Sequence, residues 1–495
     1  MTWANRNPNG TVLPYVRGTA LCVNSPWRHV YISQLLELVD FGADGIYFDH
    51  YPQPPQGCWC QYCRDKFRAW SGGLDLPKGI NISDPVYVKL LQFNTMSVQE
   101  HFQDITSALY AKSSQVALII SVFRVPCVDD GYQLYETTRL VNTTESSVAK
   151  TEFSIAGAKV CTSLFNSKSE PFYRDRFDLD ILLSLGYSIS RDAANGRPPH
   201  VWLPHLSNSS QALAAAFVQL TFGAVANPDH SAGLIPNHEL FDLTYEMTRL
   251  VNPFLSETRP LRWAGVLFSE EARNRYFSAG DVAEWENVLF PTVSAWGMLA
   301  RRQVPAGVVT DWQLAVNETS SQNNLYEDGY RLIIVPTKNV TASQEKGLGQ
   351  FEANGGKVYR IKPGKEWVDA IARSHQEDTL WSELLKGSGN PPIRIELGSL
   401  QSRAHANVFR ANATSFVVMI TNDFLWVYYN YAKPNEIANA SVKLCGIRAR
   451  SLAATDVLGH GELKPESSGN GNWTIALPNI SQFMAVSIVC SDDCW

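Results

Sequence analysis

A chain of 495 residues allows two to four domains of ordinary size and a large core. Apolar residues at 45% and charged residues at 18% exclude a disordered or highly solvated chain. The net charge is −6, no run of Lys or Arg stands out, and no apolar stretch reaches about 18 residues. Neither a nucleic-acid partner nor a membrane span is expected.

Residues 1–258 alternate short apolar runs with helical stretches. Strands are predicted at Asp44–Asp49, Val116–Phe123, Val148–Ser154, His200–His205 and Leu220–Asn227, with helices such as Tyr31–Val39 and Pro85–Lys112 between them. Strand–helix alternation implies parallel strands with helical crossovers. Polar residues at the strand ends (Asp49, Glu152, His205, Asn227) match the working face of a (β/α)8-type TIM barrel. Residues 259–391 read as a small open α/β sheet of flavodoxin-like type. Its strands are Trp263–Phe268, Gly307–Thr310, Leu332–Pro336 and Lys357–Ile361, and its helices are Val288–Arg302 and Ala342–Ala353. Asn354-Gly355-Gly356 closes the second helix with a left-handed glycine, so Gly355-Gly356-Lys357 is no phosphate loop. No organic cofactor is expected. From Pro392 the helical pattern stops. The short runs at 415–420, 440–444, 473–477 and 484–488 describe a C-terminal β-sandwich over 392–495.

The first residues lack the basic-then-apolar pattern of a signal peptide. Even so, N-x-Ser/Thr sequons occur at Asn9, Asn81, Asn142, Asn208, Asn317, Asn339, Asn412, Asn439, Asn472 and Asn479. Chance would give on the order of five. Either the composition is rich in Ser and Asn, or the protein is a secreted or lysosomal glycoprotein. Nine cysteines exclude full pairing within one chain, and export would favour a late disulfide of Cys445 with Cys490 or Cys494.

Cys58-Trp-Cys60-Gln-Tyr-Cys63 is the strongest local signal. Three thiolates within six residues, with Cys22 as the fourth ligand, suit a closed tetrahedral structural zinc. Disulfides or buried thiols are the other readings, although Cys58–Cys60 is too closely spaced for an unstrained bridge.

Alternation along Asp44–Asp49 puts Gly45, Tyr47 and Asp49 on one face, and Asp49 ends the strand with His50 and Tyr51 following. Asp49 reads as a catalytic carboxylate, or else as a loop cap or ion-pair partner. Glu152 sits in an otherwise apolar run, as a catalytic acid or as a partner of Arg124. Two carboxylates from different strands facing one cleft is what glycoside hydrolysis needs. One attacks or positions water and the other protonates the leaving oxygen. His50, Tyr51, Trp202, His205, Asn227 and His230 are the expected sugar-binding residues. An aromatic content of 11% in a charge-poor chain suits such a ligand.

Cys22-Val-Asn-Ser-Pro-Trp-Arg28, Asp44-Gly-Ile-Tyr-Phe-Asp49 and the Cys58–Cys63 cluster together resemble a group of barrel glycoside hydrolases, the α-L-fucosidases of family 151, relatives of family 29. Residues 332–358 resemble the trimerisation domain of family 42 β-galactosidases, and the cysteine cluster is similar to that family's zinc site. The resemblance implies a carbohydrate substrate, a homotrimer, Asp49 as nucleophile on the fourth barrel strand and Glu152 as acid/base on the sixth. Family 42 has Glu where Asp49 stands, so the likeness favours a fucosidase over a β-galactosidase. A non-catalytic carbohydrate-binding remnant is the reading from another class. If Asp44–Asp49 is strand four, three βα units of roughly thirty residues each should precede it. Only 43 residues do, so the expectation is a barrel lacking its first strands.

Overall fold

A computed structural model describes residues 2–15, 18–48, 57–81, 83–123, 146–150, 179–194, 196–203, 209–228, 238–255, 257–273, 282–314, 324–337, 340–361, 374–398, 404–423, 435–459 and 461–495. The chain opens with a short antiparallel hairpin, β1 (Pro14–Tyr15) and β2 (Gly18–Thr19). Then follow α1 (Trp27–Asp40), β3 (Gly45–Phe48), α2 (Gln61–Trp70), α3 (Pro85–Lys112), β4 (Ala117–Phe123) and β5 (Ser146–Lys150). Next are α4 (Leu179–Ala193), β6 (His200–Leu203), α5 (Ser209–Thr221), β7 (Val225–Pro228) and α6 (His238–Leu255).

Strands β3 to β7 form one parallel sheet in chain order. The burial of β3 alternates as the sequence requires: Ile46 and Phe48 are buried, while Gly45 and Tyr47 are exposed. Phe48 meets Phe102 of α3 edge to face at 5.1 Å, so the buried side is the helix side. Helix α3 starts cleanly because Asp84 accepts the Val86 N–H and Pro85 takes the first helical position. Five strands are described where a barrel has eight, and among the described residues the sheet does not close on itself.

One strand expectation needs correcting. Leu220 and Thr221 belong to α5, and β7 starts only at Val225. Leu220 is buried against Val251, Leu255 and Phe409, so helical packing overrides a locally strand-like run. Gly223, at φ +62°, makes the turn, and a side chain there would collide with Arg191.

The second sheet comprises β9 (Ala264–Phe268), β10 (Ala306–Thr310), β11 (Leu332–Val335) and β12 (Lys357–Arg360), all parallel, in the order β10-β9-β11-β12. That is the 2-1-3-4 arrangement of flavodoxin-like sheets. Strands β9, β10 and β11 are buried on both faces. Ala264, Val266, Phe268, Val308, Leu332 and Ile334 face a core shared with α3, β3, β4 and α4. Leu267, Val309, Ile333 and Val335 face the other way, against Leu348 and Phe351 of α9 (Ala342–Ala353) and Leu314 of α8 (Asp311–Leu314). Helix α7 (Val282–Arg301) begins six residues before its predicted start and accommodates Pro291 in its interior. Helix α9 runs over its predicted span, and the next helix is α10 (Ser374–Leu385).

The C-terminal residues are β-rich. A four-stranded sheet contains β13 (Ile393–Glu396), β16 (Ser441–Leu444), β20 (Asn472–Ala476) and β19 (Pro465–Gly469). The facing six-stranded sheet contains β18 (Glu462–Leu463), β17 (Leu452–Asp456), β21 (Phe483–Cys490), β15 (Ser415–Thr421), β14 (His405–Arg410) and β8 (Arg259–Pro260). Strand β8 departs from the sequence reading, which gave residue 259 to the middle segment. On β15, Phe416, Val418 and Ile420 fill the space between the two sheets, while Val417 and Met419 pack on α5 and α6. Among the described residues a disulfide joins Cys490 to Cys494, and Cys445 is free, which corrects the expected pairing. A link across four residues is closer to hand than one across a sheet.

The end of α4 ties these parts together. Asp192 accepts from the Arg262 guanidinium (Nε at 3.0 Å) and from the Val308 N–H of β10. Its neighbour Arg191 points elsewhere, donating to the Gly223 and Thr258 carbonyls and lying 4.7 Å from the Phe409 ring. All three charged side chains are buried. Removing Asp192 would strand the Arg262 charge in a dry site. We expect Asp192→Ala to lose about 3–5 kcal/mol in urea unfolding at neutral pH. Glu246→Ala, which breaks an exposed pair with Arg249, should leave the urea midpoint essentially where it is in the parent.

Candidate functional site

Two features of the fold bear on chemistry: a buried cluster of sulfurs and the C-terminal edge of the first sheet. Helix α1 runs into the loop before β3, and Cys58 follows β3. Cys22, which precedes α1, is therefore returned to the end of the sheet where Cys58 lies. The Sγ atoms of Cys22, Cys58, Cys60 and Cys63 lie within 4.8 Å of one another, all buried and none in a disulfide. Cys22 Sγ is 3.4 Å from Cys63 Sγ and 3.5 Å from Cys60 Sγ. A tetrahedral ion with metal–sulfur bonds of about 2.3 Å needs sulfurs about 3.8 Å apart, so the four residues fit a closed four-thiolate metal centre.

The local sequence builds this geometry. Gly57 adopts φ +104°, and a Cβ there would press to 3.0 Å on Leu90 of α3. The Trp59 N–H donates to the Arg6 carbonyl, and its indole donates to Pro77 O at 2.7 Å, which pins the cysteine loop from both sides. Cys60 stands at the N-cap position of α2 and Cys63 lies in its first turn, where the helix dipole favours anionic sulfur. The sulfurs bias one another. Bonds from Cys22, then Cys58 and Cys63, hold the Cys60 thiol well below its usual range. Cys22 is pushed up chiefly by Cys58 and Cys60, and Cys63 chiefly by Cys22. Without a cation only part of the set can ionise, and a divalent cation removes that conflict.

A polar shell surrounds the sulfurs, and the motif reading missed it. The Asn24 main-chain N–H donates to Cys22 Sγ and its Nδ2 to Cys63 Sγ, both at 3.4 Å. Lys66 Nζ donates to Asn24 Oδ1 at 2.9 Å and pairs with Glu100. Spacing held the signal: Lys66 is three residues after Cys63 on one helix, hence on the same face.

Of the residues expected to act on a substrate, Asp49, His50, Tyr51, Glu152, His205 and His230 lie outside the described residues. Trp202 and Asn227 are register partners on β6 and β7, near the C-terminal ends of those strands. In the chain, residue 49 follows the last residue of β3, and residues 152, 205 and 230 come two after the ends of β5, β6 and β7. Tyr47 is 45% exposed on the face of β3 away from the helices.

No protein-family profile matches the chain, and no curated protein sequence is similar to it. Solved structures do resemble it. The chain is similar to α-L-fucosidase isoenzyme 2 from Paenibacillus thiaminolyticus, at TM-score 0.64 and 11% identity, over 99% of this chain and 85% of that one. It is also similar to a GH42 β-galactosidase from G. stearothermophilus, at TM-score 0.65 and 11% identity, over 98% of this chain and 85% of that one. A GH42 exo-carrageenase from Bacteroides ovatus gives TM-score 0.60 and 13% identity, over 97% of this chain and 72% of that one. The fold is therefore one that glycoside hydrolases share.

Two predictions follow from the sulfur cluster and its neighbour His101. Purified protein should carry about one equivalent of metal, and a strong chelator should lower Tm by several degrees, at about 2–4 °C per kcal/mol. Less than about half an equivalent in elemental analysis would overturn the metal reading. His101 is buried on α3 beside Trp27 at 5.7 Å and Tyr31 at 6.1 Å. Burial first, then the nearby Arg28, Lys66 and His29, pushes it down to about 3. The unfolded chain thus binds this proton more readily than the folded one. Stability from the neutral ring is complete above about pH 6.5 and declines as pH falls toward 3, by at most about 5 kcal/mol. The acid limb of a Tm-against-pH curve should be shallower in His101→Phe than in the parent.

Proposed function

We propose that this protein is a glycoside hydrolase that removes a terminal sugar with two carboxylates, and that its substrate is an α-L-fucoside. Asp49 acts as nucleophile and Glu152 as acid/base, while His50, Tyr51, Trp202, His205, Asn227 and His230 hold the sugar. One observation supports the reading: Trp202 and Asn227 lie near the C-terminal ends of β6 and β7, and the other positions follow the last residues of β3, β5, β6 and β7 by one to three places in the chain, in a fold that glycosidases share. Strands β3 and β5 stand about 10 Å apart across β4, a spacing of the same order as the carboxylate separations glycosidases use. The four-cysteine centre holds a structural zinc. Four thiolates leave no open coordination position, so the ion braces the fold and takes no part in bond cleavage.

Residues 1–258 form the barrel-type unit, 259–391 apart from β8 the trimerisation-like unit, and 392–495 together with β8 the sandwich. The protein is a secreted or lysosomal glycoprotein that assembles as a trimer. The sequon asparagines Asn9, Asn81, Asn412, Asn439, Asn472 and Asn479 are all exposed, whereas the buried Asn5, Asn94 and Asn422 lie outside sequons. A β-galactosidase activity is the second reading, favoured by the GH42 neighbours.

A panel of aryl glycosides, run on protein that includes any upstream sequence, separates these readings. We expect turnover of the α-L-fucoside and a loss of about 10²–10⁴-fold in kcat for Glu152→Gln, with Asp49→Asn at least as damaging. Galactoside turnover alone would select the second reading. Absence of turnover on every sugar would leave a non-catalytic carbohydrate-binding protein.

A further inference from the structure

Beyond the four sulfurs, the structure assigns a role in holding the metal to a relay of three side chains, Asn24, Lys66 and Glu100. The inference rests on the zinc reading of Cys22, Cys58, Cys60 and Cys63. A dication bound by four thiolates keeps a net charge of about −2, and in a buried site that charge needs compensation. Among the described residues, three contributions from outside the four cysteines bear on the sulfurs. Two are the Asn24 donors, its main-chain N–H to Cys22 Sγ and its Nδ2 to Cys63 Sγ. The third is the Lys66 ammonium, which binds Asn24 Oδ1 at 2.9 Å. That bond polarises the amide, so its N–H groups become better donors to sulfur.

Each member is held in turn. Asn24 Nδ2 also reaches Ser97 Oγ at 3.0 Å, and Lys66 pairs with Glu100. Ser97 and Glu100 are three residues apart on α3, on one face of the helix. Glu100 keeps Lys66 over the amide and so acts as an orienter, while Lys66 supplies the positive charge. These are positioning residues: none of them is a metal ligand, and each acts through Cys22 or Cys63. Outer partners of this kind raise metal affinity by about 10–100-fold in other sites.

The test uses the full chain loaded with zinc, with release timed against excess chelator, and the same chain loaded with cobalt(II) for absorption spectra. Lys66→Met and Asn24→Ala should release zinc about 10–100-fold faster than the parent, with Lys66→Arg restoring most of the retention. Lys66→Met should also shift the thiolate-to-cobalt charge-transfer band, because loss of a nearby cation raises the energy of the sulfur electrons. Arg68→Met, on the same helix but paired with Asp75 in solvent, should do neither. Far-UV circular dichroism confirms that each variant is folded. A parent that holds one zinc, with variants releasing it within about twofold of the parent rate and an unmoved cobalt band, would overturn the relay and leave the zinc site standing. A parent that binds no metal would instead remove the zinc reading, and the relay with it.

Discussion

The fold turns on two adjacent charges at the end of one helix. Residues 191 and 192 of α4 point in different directions, Arg191 into the contact with the β-rich region and Asp192 into the second sheet. Burying an Arg beside an Asp without partners would cost several kcal/mol for each ion. Here Asp192 finds Arg262 and the Val308 N–H of the second sheet, while Arg191 finds the Gly223 and Thr258 carbonyls, so the two are satisfied together only when these segments meet at the end of α4. For Arg262, burial works against the charge and the Asp192 carboxylate outweighs it, so the guanidinium stays above its ordinary range. Apolar packing brings the layers together, and this junction fixes how they meet. The shared core says the same: Ile181, Leu185 and Ile189 of α4 lie in one cluster with β9 and β10 of the second sheet.

Helix α3 plays the corresponding part beside β3 of the first sheet. Its 28 residues carry Leu90 and Phe93 against the cysteine cluster and Phe102 against Phe48 of β3. Ser97 and Glu100 between these contacts, and Asp104 just beyond them, meet Asn24, Lys66 and Arg28, so one helical face reads out both the start of α1 and the side of α2. The segment 49–56 leaves β3 at Phe48 and rejoins described structure at Gly57. Both ends rest on this helix, at Phe102 and Leu90. The four buried sulfurs lie beside one of these anchors, so a metal bound there would brace the start of the chain that follows the proposed nucleophile without touching its chemistry.

Much of this was legible in the sequence, for physical reasons that differ from element to element. Helix α3 and helix α9 were readable to the residue because each begins with a proper cap: Asp84 before Pro85, and the Thr341–Gln344 capping box. The cysteine quartet was readable because ligand spacing is local and Cys22 had to return past the same strand. Strand β7 was misjudged because Leu220 and Thr221 have strand-like chemistry but lie on a helix whose partners come from residues 251, 255 and 409. The joining of Arg259–Pro260 to β14 was hidden for the same reason, since two residues cannot announce a partner 150 positions away. The outer shell of the cluster escaped the motif reading because Asn24 and Lys66 are ordinary surface residue types. Only the hydrogen bonds to sulfur give them meaning.

The separation between legible and hidden parts follows the division of labour in such folds. A parallel sheet gathers residues distant in sequence at one edge, and the sheet itself tolerates wide change provided apolar residues alternate correctly. That is how chains with only 8–13% identity keep TM-scores near 0.6. The bond cleaved is decided by the few side chains just beyond the strands, which the sheet positions but does not specify. In this chain the described residues that follow one of those strand ends, from Gly57 onward, lead into a buried sulfur cluster. The constraint acts on the scaffold at β3 and α3, so substitutions at the sulfurs should perturb the proposed carboxylate through geometry, whereas substitutions at the strand ends would alter chemistry and leave the scaffold intact.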